Sequence, residues 1–524
     1  MKKYLGLLVV LLFTVCGASA LAADTLTTTH PPSTSATPPT AEQSVTQGSV
    51  TVEGQKINYT ATAGTIILKN AKGQPTGSMF YVAYTKRGVN NEQNRPVTFF
   101  YNGGPGSSTI WLHMGAFGPR RVVTSDHSHT PSAPYKLVNN DYSLLDATDE
   151  VFIDMIGTGY SHIIGKDEGG VGTRKSFYGV DTDVAAFAQF INDYLSENSR
   201  WNSPKYIYGE SYGTTRSAML VNYFEQSDFT DLNGVILQST VLDFRYFDFS
   251  RNHDRPYELI LPSYAATAWF HHALPNQPAS LQPFLQQVQQ FALNDYAEAL
   301  NAGSMLSSDQ FDAIAQKLHD YTGLSVAYLK KAGLRVNSGE FAHELLTSKN
   351  LTVGREDSRF TGPSMDPLSQ TALSEPQAAA ISSAYATAFK DYTHNTLNYG
   401  RDQHYLPEAF GKVGPWDPHH TPYGSSRSGS FLEGSSLDAS VDLAQALKHD
   451  PDLQVLVNNG YYDLVTPYFA VMYTMDHLDI PSDLRSHIHM KYYESGHMIY
   501  AHVPALKKLH DNTAAFIKAT ENTH

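Results

Sequence analysis

From Gly48 to Thr85 apolar and polar residues alternate in short runs: Ser49-Val50-Thr51-Val52, Lys56-Ile57-Asn58-Tyr59-Thr60, Thr65-Ile66-Ile67-Leu68 and residues 79–84. Gly54, Gly64 and Gly73 punctuate these runs, so the pattern predicts antiparallel hairpins. Beyond them the alternation gives way to apolar runs at 96–101, 150–154, 205–208, 234–237 and 453–458. Such runs suit strands buried on both faces. Helical segments lie between several of them, including one from Thr214 to Glu225. Strands alternating with helices predict an α/β fold built on a mainly parallel, doubly wound sheet. Later, Ile488, Met490 and Tyr492 alternate with His489 and Lys491, as in one more strand.

The strand series pauses between about residues 248 and 424. Helical patterns at 279–300, 308–321, 341–348 and 376–392 fill the span. It is read as a helical cap inserted over the carboxyl ends of the strands. It divides the core into a first part, 47–247, and a second part, 425–524.

The amino terminus reads as a secretory signal over residues 1–22. Met1-Lys2-Lys3 is its basic start, residues 5–15 its apolar core, and Ala18-Ser19-Ala20 or Ala20-Leu21-Ala22 its cleavage site. The apolar core is too short to span a bilayer comfortably. Export to a periplasm or full secretion is therefore expected, with no stable membrane insertion after cleavage. Residues 23–46, rich in Thr, Ser, Pro and Ala, read as a disordered linker.

Cys16 is the one cysteine, and it lies inside that leader. The exported chain then carries no disulfide and no thiol for catalysis or metal binding. The leader and the missing disulfides fit a bacterial exported protein. A formal charge of −14 over 524 residues disfavours nucleic acid as a partner.

The chemistry is concentrated in Tyr206-Ile207-Tyr208-Gly209-Glu210-Ser211-Tyr212-Gly213, a short strand entering a Gly-x-Ser-x-Gly turn with a helix behind it. That is the context of a nucleophile elbow. Acyl transfer by a serine also needs a base, an acid to orient it, and donors for the oxyanion. Two later turns, each following a strand, offer the acid and the base: Asn459-Gly460-Tyr461-Tyr462-Asp463 and Glu494-Ser495-Gly496-His497. The order Ser211, Asp463, His497 suits a sheet of this kind. Asp463 also stands where it would cap a helix starting near Thr466-Pro467, and Glu494 competes as the acid. Upstream, Asn102-Gly103-Gly104-Pro105-Gly106-Ser107-Ser108 follows a buried strand, and its glycines let backbone N–H groups approach an oxyanion.

Taken together, the NGGPGSS segment, the GESYG elbow, the Gly-Tyr-Tyr-Asp turn and the Gly-His-Met loop resemble the serine carboxypeptidase family. Asp154-Met155-Ile156-Gly157-Thr158-Gly159-Tyr160-Ser161 is similar to a further family segment, one residue short before its first glycine. The resemblance implies an α/β-hydrolase fold and release of C-terminal residues from peptides with a free C-terminus. It implies Ser211 as nucleophile, His497 as general acid/base, Asp463 as its orienter, and the Gly104 and Tyr212 N–H groups as oxyanion hole. Asn102 and Glu210 match the residues that hold the substrate carboxylate. No metal or other cofactor is implied. Two carboxylates can face each other only by sharing a proton, so Glu210 predicts peptide cleavage favoured at acidic pH. Ala116 stands where the family usually has a second glutamate, with His113 and Arg120 close by as substitutes. That departure keeps open an esterase or acyltransferase using the same triad. A non-catalytic binding protein on this scaffold is the alternative of another class.

Smaller features complete the expectations. Asp417-Pro418-His419-His420 lies in a Pro-rich loop without a matching metal-ligand set. Gly354-Arg355-Glu356-Asp357-Ser358-Arg359 reads as a salt-bridged loop of the cap. Trp111, Tyr160 and Tyr212 are candidates for the pocket wall or for the core.

Overall fold

The computed structural model describes residues 37, 39–250, 252–422 and 436–521; the leader, most of the linker's first part and the end of the expected cap lie outside them. Nine strands run along one sheet: β1 (Gln43–Val52), β2 (Gln55–Lys69), β3 (Pro75–Lys86), β4 (Val97–Tyr101), β5 (Asp149–Ile153), β6 (Lys205–Glu210), β7 (Gly234–Gln238), β8 (Gln454–Gly460) and β9 (Ile488–Tyr493). Their spatial order is β1-β2-β3-β5-β4-β6-β7-β8-β9, with His162–Ile163 pairing beside β3. The β1, β2, β3 and β5 pairings are antiparallel, and every pairing from β5 to β9 is parallel.

The labelled helices are α1 (Val180–Glu197), α2 (Tyr212–Tyr223), α3 (Arg255–Phe270), α4 (Leu281–Phe291), α5 (Ser308–Thr322), α6 (Pro376–Asn395), α7 (Ser440–His449), α8 (Tyr468–Asp476) and α9 (Val503–Thr520). Alternate residues of the strands feed two separate cores. Phe100, Phe152, Tyr208 and Leu456 join α6 and α9 on one face. Phe99, Val151, Ile207 and Val457 join α1, α2 and α7 on the other. Both faces are covered, which explains why β4 and β5 are buried along their whole length and read as unbroken runs.

A third core lies within the inserted span. Leu259, Tyr264, Phe284, Val288, Leu318 and Phe341 pack with one another and against Tyr462 and Tyr468. The α6 helix behaves differently: Ile381, Tyr385, Phe389 and Tyr392 enter the sheet's own core. The span 248–424 thus packs on the sheet and on the Tyr462–Tyr468 segment, and it also contains a small hairpin, Leu351–Val353 with Thr361–Pro363.

Several expectations need correction. The first strand starts at Gln43, inside the stretch expected to be linker, because residues 43–52 pair continuously with β2. Gly64 makes no turn; it pairs with Gln43 in mid-strand, so the two short runs around it are one strand. The segment read as a helix over 341–348 begins at Ser338, where Asn337 and Glu340 form a capping box. Among the described residues no helix is long and apolar enough to cross a membrane.

Candidate active site

The β6 strand ends at Glu210, and Ser211 turns the chain into α2 with φ 60° and ψ −130°. A non-glycine residue holds this conformation only under strain. The surrounding residues enforce it: the Ser211 N–H donates to the Gln238 carbonyl at 3.0 Å. A Cβ at Gly209 would lie 2.2 Å from the Gly213 carbonyl oxygen, so that position admits no side chain. Ser211 therefore projects from the chain as a half-buried residue at the start of a helix, among neighbours that are buried.

The acid and base arrive from the ends of β8 and β9. His497 Nδ1 lies 2.7 Å from Asp463 Oδ2. Asp463 is fully buried, and both its oxygens are occupied. Oδ1 accepts the N–H groups of Val465 and Thr466 at 2.8 Å each, and Oδ2 also accepts the Thr466 hydroxyl at 2.6 Å. One carboxylate thus closes the turn before α8 and lies against the imidazole; it does not cap the helix, whose N-cap is Pro467 without a side-chain cap hydrogen bond. Glu494 is exposed and makes no hydrogen bond to His497 among the described residues.

Burial disfavours charge on His497, but the charge and hydrogen bond of Asp463, with the nearby Glu210 and Glu356, outweigh it and push the imidazole up to about 9. With Nδ1 engaged, Nε2 is the nitrogen left for chemistry. Ser211 and His497 line one cleft of about 200 Å³, although no hydrogen bond joins the serine hydroxyl to the ring. Such contacts are commonly long without substrate and tighten on binding.

The Asn102–Gly104 turn lies directly on the elbow. A Cβ at Gly103 would be 2.4 Å from the Tyr212 nitrogen. Neither the Gly104 N–H nor the Tyr212 N–H makes a hydrogen bond among the described residues, and Gly104 lines the cleft. Two free amides beside a candidate nucleophile, one at the positive end of α2, suit a developing oxyanion.

Asn102 and Glu210 are also brought together. Asn102 Nδ2 donates to Glu210 Oε1 at 2.8 Å, and Gln238 Nε2 donates to Glu210 Oε2 at 2.7 Å. Burial pushes the Glu210 carboxyl up to about 7, reinforced by Glu356 and opposed by His497 and the Asn102 hydrogen bond. The Asn102 side chain is itself fixed, its Oδ1 accepting the Leu112 N–H at 3.3 Å.

The expected substitutes for the second glutamate are elsewhere. His113 is buried, its Nε2 2.7 Å from the Tyr84 hydroxyl, and burial drives its pKa down to about 3. Neither His113, Arg120 nor Ala116 lines the cleft. Instead Glu356 and Glu408, from the span 248–424, line the cleft, where sequence reasoning did not place them. Gln238 was also missed; its only signal was a polar residue ending an apolar strand. Of the aromatic candidates, Trp111 lines the cleft. Tyr160 packs instead among Phe80, Tyr399 and Tyr405, and the Tyr212 ring lies against Trp416. His420 sits between Asp181 and Asp442, and His419 Nδ1 lies against Asp417, so both histidines of the Asp-Pro-His-His loop face carboxylates.

A parallel sheet covered on both faces, with this elbow and its acid and base at successive strand ends, defines an α/β-hydrolase. The chain belongs to the serine carboxypeptidase family, whose model matches residues 54–510. Over 135 residues it is 30% identical to the pheromone-processing carboxypeptidase KEX1 of Saccharomyces cerevisiae, covering 25% of this chain and 17% of that protein. It is 26% identical over 193 residues to serine carboxypeptidase-like 8 of Arabidopsis thaliana, covering 35% and 41%. These matches span less than half the length of either relative. The crystal structure of a KEX1 prohormone-processing carboxypeptidase from Saccharomyces cerevisiae superposes with a TM-score of 0.51 at 16% identity, covering 88% of this chain and 91% of that one.

Proposed function

We propose that this protein is an exported serine carboxypeptidase that releases C-terminal residues from peptides through an acyl-enzyme. In this reading Ser211 Oγ attacks the last peptide carbonyl while His497 Nε2 takes its proton. Asp463 fixes the ring and stabilises the imidazolium. The Gly104 and Tyr212 N–H groups meet the oxyanion, a contribution of about 3 kcal/mol for each donor. The imidazolium then protonates the leaving amine, and water deprotonated by His497 releases the shortened peptide. Asn102 and Glu210 take the substrate's terminal carboxylate. The observation that carries the reading is the buried Asn102–Glu210 pair set in the same cleft as Ser211 and His497. A general esterase has no need of a protonatable carboxyl there.

The leader at residues 1–22 supports export, and the span 248–424 is proposed as an insertion that covers the cleft. Mass spectrometry of an N-blocked peptide at pH 4 and pH 7.5 tests the activity. Stepwise loss of C-terminal residues with wild type, abolished in Ser211→Ala, is the expected result. An intact peptide, with Ser211 still labelled by a fluorophosphonate, moves the function to ester hydrolysis or acyl transfer. A Ser211 that no such probe labels points to a binding protein.

A further inference from the structure

The Arg355–Arg359 stretch of the insertion is threaded between the turn that carries Asp463 and the loop that carries His497. The Leu464 N–H donates to the Arg355 carbonyl at 2.8 Å, and the His497 N–H donates to the Glu356 carbonyl at 2.6 Å. The Ser358 N–H and hydroxyl both donate to the Tyr462 carbonyl, at 2.9 and 3.0 Å. Residues on both sides of Asp463, and His497 itself, are therefore bonded to one short segment. The fit is close: a Cβ at Gly496 would lie 2.4 Å from Asp357 Cβ.

Arg359 holds this segment in shape. Its Nε and Nη2 meet the Asp357 carboxylate at 3.0 and 2.6 Å, and both side chains are buried. Its Nη1 reaches Asp126 at 3.2 Å, its Nη2 lies 3.5 Å from Ser495 Oγ, and its guanidinium stands 5.9 Å from the Tyr462 ring centre. Asp126 in turn lies 2.8 Å from His502 Nδ1, just beyond the His497 loop. One planar cation thus ties the insertion to the acid turn and to both sides of the base loop. The loop is salt-bridged, as its sequence predicts, and its Arg359–Asp357 pair is buried.

We propose that Arg359 is a positioning residue for the Asp463–His497 pair, so that the insertion is a structural part of the catalytic centre as well as its cover. This rests on the roles given above to Ser211, Asp463 and His497. Small displacements of such a pair cost rate, and Arg359 makes no hydrogen bond or ion pair with the Asn102–Glu210 pair.

The test measures the rate at which a small fluorophosphonate labels Ser211, together with kcat and KM on an N-blocked peptide. The full chain is used as Arg359→Met, Arg359→Lys and Asp126→Asn, with folding checked by circular dichroism. Arg359→Met is expected to slow labelling and kcat by at least about tenfold with KM nearly unchanged, and Arg359→Lys to recover part of the loss. Asp126→Asn, at a partly exposed position, is expected to give a smaller loss of the same kind. A folded Arg359→Met labelled at the wild-type rate overturns the proposal. Should Arg359→Met not fold, wild-type labelling of Asp126→Asn overturns it instead. Failure of the wild-type chain to be labelled rejects the assignment of Ser211 itself, a separate outcome.

Discussion

Asn102 Nδ2 stands 2.8 Å from Glu210 Oε1, and the two are buried beside the half-buried Ser211. The contact links the end of β4 to the end of β6, adjacent parallel strands. It places an amide donor beside a carboxyl that burial pushes up to about 7, in the cleft proposed to take a peptide's last carboxylate. It also leads to a test in which the other titrating group cancels.

In the proposed reading, binding a terminal carboxylate requires the proton on Glu210, whose pKa is raised to about 7. As pH rises through 7 that proton is lost, and repulsion replaces the shared hydrogen bond. His497, pushed up to about 9, must be neutral to act as base, which favours higher pH. Both effects act on a free-acid peptide, but only the second acts on its amide. The ratio of kcat/KM for acid over amide should therefore fall about tenfold per pH unit above 7, as for loss of a single proton. In Glu210→Gln that ratio should become flat. A ratio independent of pH in the wild-type enzyme refutes the assignment of Glu210.

Asp463→Asn should lower kcat by about 10⁴ with little change in KM, because the amide favours the wrong imidazole tautomer. Steady-state kinetics on an N-blocked peptide measure it. A loss below about tenfold would mean that the 2.7 Å contact to His497 serves the turn more than the ring.

Among the described residues, the titratable side chains lining the cleft are Glu210, Glu356, Glu408 and His497, with no lysine or arginine. The Glu356 and Glu408 carboxylates make no hydrogen bond or ion pair among the described residues. Peptides carrying a lysine beside the scissile bond should therefore be cleaved with higher kcat/KM than those carrying a glutamate there. Glu356→Gln with Glu408→Gln should narrow the difference, and an unchanged preference in that double variant would show that neither carboxylate faces the peptide.

Arg216 on α2 is fully buried, with Nε 2.7 Å from Asp183 Oδ2 and Nη1 3.0 Å from the Asn102 carbonyl. Arg216→Met leaves Asp183 buried without its partner. Urea unfolding should show a loss of about 3–5 kcal/mol, the usual cost of breaking a buried pair from one side. A loss under about 1 kcal/mol would indicate that Asp183 is hydrated or neutral in the folded chain.

The amino-acid sequence by itself was sufficient for the strand and helix series, the elbow at Ser211, and the chain order of Ser211, Asp463 and His497. These depend on local rules. Glycines must flank a tight strand-to-helix turn, apolar runs mark strands buried on both faces, and an acid or a base on a turn after a strand lies at the sheet's carboxyl edge. Boundaries were less legible, since Gly64 reads as a turn until its pairing with Gln43 is seen.

Tertiary structure alone decided what fills the rest of the cleft. Gln238 bonds Glu210 because β6 and β7 pair in register, with those two residues as partners. Glu356 and Glu408 reach the cleft from the span 248–424, whose path no periodicity encodes. The expected substitutes His113 and Arg120 are close to the oxyanion turn in sequence but face other surroundings, His113 being held against Tyr84 and Phe152. Contacts between segments far apart in the chain follow from packing of whole layers, and that packing put Arg359, read first as part of a salt-bridged loop, in a buried pair with Asp357 and beside Ser495.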